Sequence, residues 1–446
     1  MVAELLLIKG GKVLIGKFWR RVLILVNDEG IIVKVMKDKD LLPYYLRHVD
    51  TILNVKERII LPGMIDMHVH FREPGLEYKE DFKTGSKAAI AGGVTIVGDM
   101  PNNNPRIKTP ELLLKKAKKI KGKSFVDYVL YAEMPNDVDT LIAFKEADIK
   151  PKAIKVYYYL DEERHAFLSE KTPKDFLYIV HAEDPSLFHE MKSCDDYSEF
   201  LRSRPVEAEI SAIKSVIKKA ERGYRIHIAH VSTHVGLSLL LDAKRRGLNI
   251  SFEVTPHHLI FYAEKYSHLK SLIKCFPPIR RKIDVLALRR ALRVGLIDIL
   301  ATDHAPHAPE EKMLDLCKAP GGIASIQWFL PLMYTLSKIL WIKNPKKIIQ
   351  AMTENPARRL GLVKRGKIKP GYYADLVIFN PSKRWIIKGK HTFSKAKVTP
   401  YENFRVRGFV EATILRGKLV YHKELFLKSP SGILSVSYTH LTLPTN

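Results

Sequence analysis

Two histidines separated by one residue are the first feature of this chain that could do chemistry. His68 and His70 lie in the segment Asp66-Met-His-Val-His-Phe-Arg72. In a β-strand, side chains two residues apart project from the same face, and neutral imidazoles are common ligands of zinc and other transition metals. The pair predicts part of a metal site, although the spacing alone is also compatible with a structural role.

Further polar residues interrupt apolar segments later in the chain; they are Lys155, His181, His230 and Asp303. Polar side chains inside apolar strands are unfavourable unless they have partners. Each of these residues falls near the end of a predicted strand. If the strands are parallel, their ends meet at one mouth, so four histidines and one aspartate there predict a metal centre.

The elements that must position these residues are strands that alternate with helices. The predicted strands are 64–70, 95–100, 127–133, 153–158, 176–183, 225–231, 249–258 and 296–306. Between them, Thr109 and Pro110 are typical of a helix start and Gly122 of its end, and residues 207–222 form another helical segment. Eight strands in this alternation predict an α/β fold, a (β/α)8 TIM-type barrel whose functional residues lie at the carboxyl ends of the strands.

Both ends of the chain are rich in short β segments without helices between them. Residues 27–30, Asn-Asp-Glu-Gly, predict a hairpin turn between two of these segments. We therefore expect a β-sandwich satellite domain formed by residues 1–60 plus 365–425, beside a barrel at 61–364 that carries the metal site. Residues 435–446 do not continue the preceding pattern, and we interpret them as a non-native tail.

The composition restricts the class of protein. The 446 residues include 74 Lys and Arg against 48 Asp and Glu, a net charge of +26. The basic residues are spread along the chain, which favours a solvated charged surface over a nucleic-acid site. No apolar segment reaches bilayer length, and the N-terminus lacks a signal-peptide pattern, so we expect a cytoplasmic protein without a membrane partner. The three cysteines, Cys194, Cys275 and Cys317, are scattered and predicted to be reduced.

Five segments together resemble the dihydroorotases of the amidohydrolase superfamily. They are residues 62–75, 99–104, 181–183, 229–231 and 303–307. They occur in the family's order, and the similarity covers about residues 1–425. The resemblance implies the barrel and split β-sandwich, and it implies a zinc-dependent cyclic amide hydrolase. The implied reaction is the reversible cyclisation of N-carbamoyl-L-aspartate to (S)-dihydroorotate plus water, in pyrimidine (UMP) biosynthesis.

The resemblance also implies a centre with two Zn²⁺ ions and six ligand residues, namely His68, His70, Asp303, His181, His230 and Lys155. The first three would hold one ion and the next two the other. Lys155 would be carboxylated on its amine and bridge both ions, which makes electrostatic sense because an unmodified ammonium would repel them. Asp303 would also be the catalytic group that accepts and returns a proton.

Three residues are implied as substrate contacts: Arg72, Asn102 and His307. Arg72 can bind a carboxylate through two hydrogen bonds, and allantoinases and hydantoinases generally lack the run at 70–75. Phe276 departs from the family, because many relatives have an asparagine there whose amide contact a phenylalanine cannot make. Residues 320–327 resemble the family's glycine-containing loop only in part. The sequence therefore does not assign the residues that contact the substrate ring.

The sequence is also compatible with other functions. Phe276 is the best support for a related allantoinase- or hydantoinase-type cyclic amidohydrolase. Loss of ligand residues would favour a non-catalytic dihydroorotase-like scaffold, yet all six are present. A nucleic-acid-binding protein, suggested by the charge of +26, would need salt-sensitive binding. A homodimer and association with an aspartate carbamoyltransferase are the protein partners that we consider. His257, His258 and His304 are predicted to have structural or supporting roles.

Overall fold

Strands alternate with helices through the middle of the chain and occur almost without helices at its two ends. The computed structural model describes residues 5–37 and 49–435. Within these ranges the strands are β1 Leu5–Ile15, β2 Phe18–Val26, β3 Ile32–Met36, β4 Val49–Asn54, β5 Ile59–Pro62, β6 Met64–Val69, β7 Val94–Asp99, β8 Asp127–Leu130, β9 Ala132–Glu133, β10 Ile154–Tyr157, β11 Leu177–His181, β12 Arg225–Ile228, β13 Ile250–Val254, β14 Ile299–Leu300, β15 Leu376–Ile386, β16 Arg405–Leu415, β17 Lys418–His422 and β18 Leu425–Phe426.

The α-helices of the described ranges are α1 Phe82–Ala91, α2 Pro110–Ile120, α3 Val138–Glu146, α4 Asp161–Leu168, α5 Tyr197–Ser203, α6 Val206–Glu221, α7 His234–Arg245, α8 Pro256–Ile260, α9 Ala263–Tyr266, α10 Lys282–Val294, α11 Pro309–Lys312, α12 Phe329–Ile339, α13 Lys346–Met352 and α14 Glu354–Arg359. Short 3₁₀ helices lie at Pro185–Leu187, Ser267–Ile273, Ile326–Trp328 and Gly389–His391. None of the helices in these ranges is both long and apolar enough to cross a bilayer.

Strands β6 to β14 are parallel and follow one another in chain order. β6, β7 and β8 form one sheet, and β9 to β14 form another. Only Tyr131 separates β8 from β9, so one segment of chain contributes to both sheets. Val69 pairs with His304 in a parallel bridge, and the His70 N–H donates to the His304 carbonyl at 2.9 Å. These contacts connect the first and eighth strands, which is the predicted order of a (β/α)8 barrel.

The residues predicted to begin and end a helix lie at the two ends of α2. The Thr109 side chain accepts a hydrogen bond from the Leu112 N–H at 3.4 Å, and Pro110 is the first helical residue of α2. Gly122, just beyond the helix, has φ of +77°, a backbone conformation that favours glycine. Helix α6 lies one residue earlier at each end than the predicted segment 207–222.

The two ends of the chain share one nine-stranded sheet. Its order is β18-β17-β16-β15-β5-β1-β2-β3, and β4 pairs with β1. The link between the ends is the antiparallel pairing of β5 with β15, for example Leu61 opposite Val377. The predicted turn at 27–30 joins β2 to β3, with the Gly30 N–H donating to the Asn27 carbonyl at 2.9 Å. The domain boundaries at residues 60 and 365 stay predictions, and residues 436–446 of the predicted tail lie outside the described residues.

A buried group of charges ties this sheet to the barrel. Asp127, the first residue of β8, receives hydrogen bonds from Arg365 at 2.6 Å and from Arg416. Arg365 also donates to Asp375, which immediately precedes β15. Buried charges are tolerated when they are paired in this way, so the group fixes β8 against the sheet of the chain ends.

The prediction of three reduced cysteines is wrong. Cys194 and Cys317 form a disulfide, and Cys275 is free and buried. The bonded residues are 123 apart in sequence, but they lie in the segments that follow β11 and β14. The Leu316 N–H donates to the Cys194 carbonyl at 3.1 Å, so the backbones of the two segments are already adjacent. Only the fold brings these cysteines together, and their spacing in sequence carries no sign of it.

We expect the purified, unreduced protein to expose one reactive thiol per chain on denaturation and three after reduction. The Cys194→Ser variant should lose about 4 kcal/mol of unfolding free energy in urea titrations, because the cross-link closes a long loop. Cys275→Ser is the control, since it should keep the disulfide. Three reactive thiols without reductant would contradict the bond.

Candidate active site

His68 and His70 meet Asp303 at the mouth of the barrel. His68 lies in β6, His70 follows it, and Asp303 follows β14. The Nε2 atoms of His68 and His70 lie 3.2 Å and 3.1 Å from Oδ1 of Asp303. The ligand atoms of the three side chains lie within 4.8 Å of one another, and all three residues are buried. The two histidines therefore direct the same ring nitrogen toward one carboxylate, as ligands of one cation do.

Glu253 determines which nitrogen His68 offers, and sequence reasoning missed this residue. It lies in β13, and its carboxylate accepts from Nδ1 of His68 and, at 3.0 Å, from Nε2 of His227. Although burial raises the pKa of Glu253, His68 and His227 hold it well below the usual value. An ionised Glu253 keeps the proton of His68 on Nδ1 and leaves Nε2 free to bind a metal ion. The only sequence signal was a glutamate inside an apolar strand.

Asn102 does the same for His70. Its Oδ1 accepts from Nδ1 of His70 at 2.6 Å, so Nε2 again remains for a metal. Burial lowers the pKa of His70 to about 4, which keeps the imidazole neutral near pH 7. The residue predicted as a substrate contact thus orients a candidate metal ligand, while its amide NH₂ group is left for another partner.

His181 and His230 form the other half of the site. Their ring centroids are 4.5 Å apart, and the rings of His230 and His68 are 5.3 Å apart, which joins the two halves. Nε2 of His181 donates to Glu183 at 2.7 Å, so its Nδ1 is the nitrogen left for a metal. Burial lowers the pKa of His181 to about 4 and that of His230 well below its ordinary value.

Lys155 reaches the same space from β10. The residue is 1% exposed, and its Nζ has no hydrogen-bond partner within the described part of the chain. Burial lowers the pKa of this amine to about 8. A buried ammonium without a partner is unfavourable, whereas a neutral amine can react with carbon dioxide. The unpartnered Nζ among imidazoles and a carboxylate therefore fits a lysine carbamate between two divalent cations.

Phe276 packs against an arginine that supports the hydrogen-bond partner of His181. Glu183, the partner of His181, also accepts from Nη2 of Arg204 at 2.7 Å. The guanidinium of Arg204 lies 4.1 Å from the ring centroid of Phe188 and 4.3 Å from that of Phe276. Stacking between two rings fixes the cation over Glu183. Gly321 belongs to the same arrangement, because a Cβ there would lie 2.7 Å from the Phe276 ring.

Arg72 and His307 lie next to each other at the mouth. Nε of Arg72 donates to the Pro306 carbonyl at 3.2 Å, and its Nη2 is 3.3 Å from Nε2 of His307. Lys79 donates to Nδ1 of His307 at 3.2 Å. Burial lowers the pKa of both Arg72 and His307, and the neighbouring Arg72 lowers that of His307 further. Lys79 also pairs with Glu311 at 2.8 Å, so Arg72 is the cation of this group that an anionic ligand would pair with.

Three residues of the site have a left-handed backbone conformation. Arg72, His230 and Asp303 have φ of +63°, +34° and +46°. Non-glycine residues adopt this left-handed region at a cost, and such residues cluster at functional sites.

Of the histidines predicted to have supporting roles, His258 bonds to Thr255 and Pro277, and His304 accepts from the Ser325 N–H at 3.1 Å.

Comparisons with known proteins show the family and the fold of the chain. A sequence model of the amidohydrolase family matches residues 59–166 and 208–420. The chain is 35% identical to a dihydroorotase of Lactobacillus acidophilus over 384 residues, 82% of this chain and 89% of that protein. It is 33% identical to a dihydroorotase of Carboxydothermus hydrogenoformans over 435 residues, 94% and 99% of the two chains. The L-hydantoinase (dihydropyrimidinase) of Arthrobacter aurescens has a similar fold, with a TM-score of 0.87 at 23% identity over 97% of this chain and 99% of that one.

We expect Glu253→Gln to weaken metal binding about 10- to 100-fold. Each carboxylate oxygen of Glu253 accepts a hydrogen bond from one histidine, whereas the amide of glutamine has only one acceptor oxygen. Competition with a chelator, followed by metal analysis, measures the change. Glu221→Gln is the matched control, since Glu221 lies on the surface and pairs with Arg246. Equal metal affinity in Glu253→Gln and the wild type would show that Glu253 does not orient His68.

Proposed function

The chain belongs to the amidohydrolase family and is related to its dihydroorotases, and we propose that it is itself a zinc-dependent dihydroorotase. It would interconvert N-carbamoyl-L-aspartate and (S)-dihydroorotate plus water, a step of pyrimidine biosynthesis. The observation that carries the proposal is the position of Arg72. A buried guanidinium in the same short segment as His68 and His70 supplies a carboxylate site beside a metal site.

The metal centre is the next part of the proposal. The amidohydrolase family is metal-dependent, and the ligand atoms of His68, His70 and Asp303 lie within 4.8 Å of one another, which suits a metal ion. We infer zinc as the metal, with one ion at His68, His70 and Asp303, and the other at His181 and His230. Lys155, as a carbamate, would bridge them. When bound, the ions would supply Lewis acidity toward the reacting carbonyl group and the attacking water.

Asp303 is the group we assign to proton transfer. Burial raises the pKa of its carboxyl group, but His68 and His70 lower it well below its ordinary value, so the carboxylate is ionised near pH 7. In ring opening it would accept the proton of the attacking water and pass it to the leaving amide nitrogen. In ring closure the same carboxylate would take the proton from the carbamoyl nitrogen and return it to the departing water.

Substrate orientation is assigned to Arg72, His307 and Asn102. Arg72 and His307 would hold the carboxylate that is not consumed in the reaction, and the free amide group of Asn102 would add a further hydrogen bond. Because Arg72 is buried, an anionic ligand would neutralise a charge that is otherwise poorly compensated. The carboxylate would also fix the ring relative to Asp303.

A hydantoinase- or allantoinase-type activity is the second candidate, and Phe276 is the observation that favours it. The ring of Phe276 lies against Arg204, so its side chain supplies no polar contact to a pyrimidine ring. Hydantoin and allantoin, however, carry no carboxylate on the reacting ring. With either substrate Arg72 would have no anion to bind. A cytoplasmic location, a homodimer and association with an aspartate carbamoyltransferase stay predictions.

The experiment is a substrate panel run on the zinc-loaded protein with metal analysis. We expect hydrolysis of dihydroorotate and formation of it from N-carbamoyl-L-aspartate, with little turnover of hydantoin or allantoin. His181→Ala should lose the activity and part of the zinc, which ties turnover to this site. Turnover of hydantoin or allantoin without dihydroorotate would contradict the proposed substrate.

A further inference from the structure

His257, His258 and Cys275 form a buried cluster that has no part in the proposed reaction. Each of the three side chains offers one ligand atom, and these atoms all lie within 4.8 Å of one another. The residues are 0%, 1% and 1% exposed. Imidazole nitrogens and cysteine sulfur are preferred ligands of zinc in proteins. The cluster therefore has the donor set of a metal site.

Two segments of the chain bring these side chains together. His257 and His258 belong to α8, which closely follows β13, and Cys275 lies between the 3₁₀ helix Ser267–Ile273 and α10. The carbonyl of Pro277 contacts both segments, because it accepts from Nε2 of His258 at 3.1 Å and from Sγ of Cys275 at 3.3 Å. One ring nitrogen and the sulfur are thus directed at the same oxygen atom.

His257 has no partner for either of its ring nitrogens. Both atoms are buried, and neither has a hydrogen-bond partner anywhere in residues 5–37 and 49–435. A neutral imidazole has one donor and one acceptor, and buried polar groups in native proteins are nearly always paired. Burial lowers the pKa of His257 well below its ordinary value, so the neutral ring keeps a lone pair near pH 7. The unpaired ring indicates a place for a ligand, and the neighbouring donors favour a cation.

Thr255 can orient His258 as a metal ligand. Its Oγ1 lies 2.9 Å from Nδ1 of His258, so it can accept the proton of Nδ1 and leave Nε2 for a metal ion. Two buried cations near Cys275 have partners of their own. Lys312 donates to backbone carbonyl groups, and Arg280 lies 3.8 Å from a carboxylate oxygen. The donors of the cluster are therefore left for another cation.

We propose that His257, His258 and Cys275 bind a zinc ion, with the carbonyl oxygen of Pro277 as a fourth donor. Binding would release the proton of the Cys275 thiol, because the thiolate is the form that coordinates zinc. The ion would join α8 to the segment that carries Phe276. This site is separate from the centre of the proposed function, whose six residues include no cysteine.

The test uses the full-length protein, with its disulfide intact, produced in medium that contains cobalt in place of zinc. Cobalt bound to a thiolate absorbs in the near ultraviolet through a sulfur-to-metal charge-transfer band. The chain has three cysteines, and Cys194 is bonded to Cys317, so Cys275 is the thiol that can give this band. We expect the band in the wild type and its loss in Cys275→Ser and His257→Ala. Cys275→Ser should also contain one equivalent of cobalt less per chain.

His234→Ala is the matched control for the histidine substitution, because His234 pairs with Asp284 and should not affect the band. The double variant Cys194→Ser/Cys317→Ser should keep the band as well. A band that persists in Cys275→Ser would overturn the inference. Absence of the band from the wild type would also overturn it, whether or not the variants fold, and would leave a water molecule as the partner of His257.

The same experiment separates this inference from the proposed function. If the six residues at the barrel mouth bound no metal, the total cobalt content would fall but the charge-transfer band would remain. If the cysteine site is wrong, the band is absent while cobalt at the mouth is unaffected.

Discussion

The burial of six polar side chains at one barrel mouth is the constraint on which the rest of this structure depends. Neutral imidazoles, a carboxylate and an amine are removed from water there, and each must find partners. The protein supplies one partner for each of three imidazoles: Glu253 for His68, Asn102 for His70 and Glu183 for His181. In each case one nitrogen is occupied and the other is directed inward. Nζ of Lys155 has no hydrogen-bond partner among the described residues, which supports the proposed carbamate between two cations.

The residues around the site fix the positions of these hydrogen-bond partners. Glu253 is fixed from the other side by His227, and Glu183 by Arg204. Arg204 in turn depends on the rings of Phe188 and Phe276. The disulfide between Cys194 and Cys317 joins the segments that follow β11 and β14, and these strands lead into Glu183 and Asp303. Phe276, which departs from the family pattern, and the unexpected disulfide thus both lie close to the residues that support the proposed metal ligands.

Much of this could be predicted from sequence because the signals were local. Period-two spacing placed His68 and His70 on one face, and polar interruptions of apolar strands marked Lys155, His181, His230 and Asp303. The supporting residues could not be found in this way, because their roles depend on contacts between distant segments. Glu253 and His68 are 185 residues apart, and Cys194 and Cys317 are 123 apart. The eighth strand was predicted as 296–306 and is only Ile299–Leu300, since the chain leaves the sheet to place Asp303 at the mouth.

The central claim is that Lys155 and the other five ligand residues hold two metal ions. Anomalous diffraction at the zinc edge from crystals of the zinc-loaded protein tests it most directly. The account predicts two anomalous peaks at this centre, one bounded by His68, His70 and Asp303 and the other by His181 and His230, with added density on Nζ of Lys155. A single peak, or an unmodified Lys155 with no peak beside His181, would contradict it.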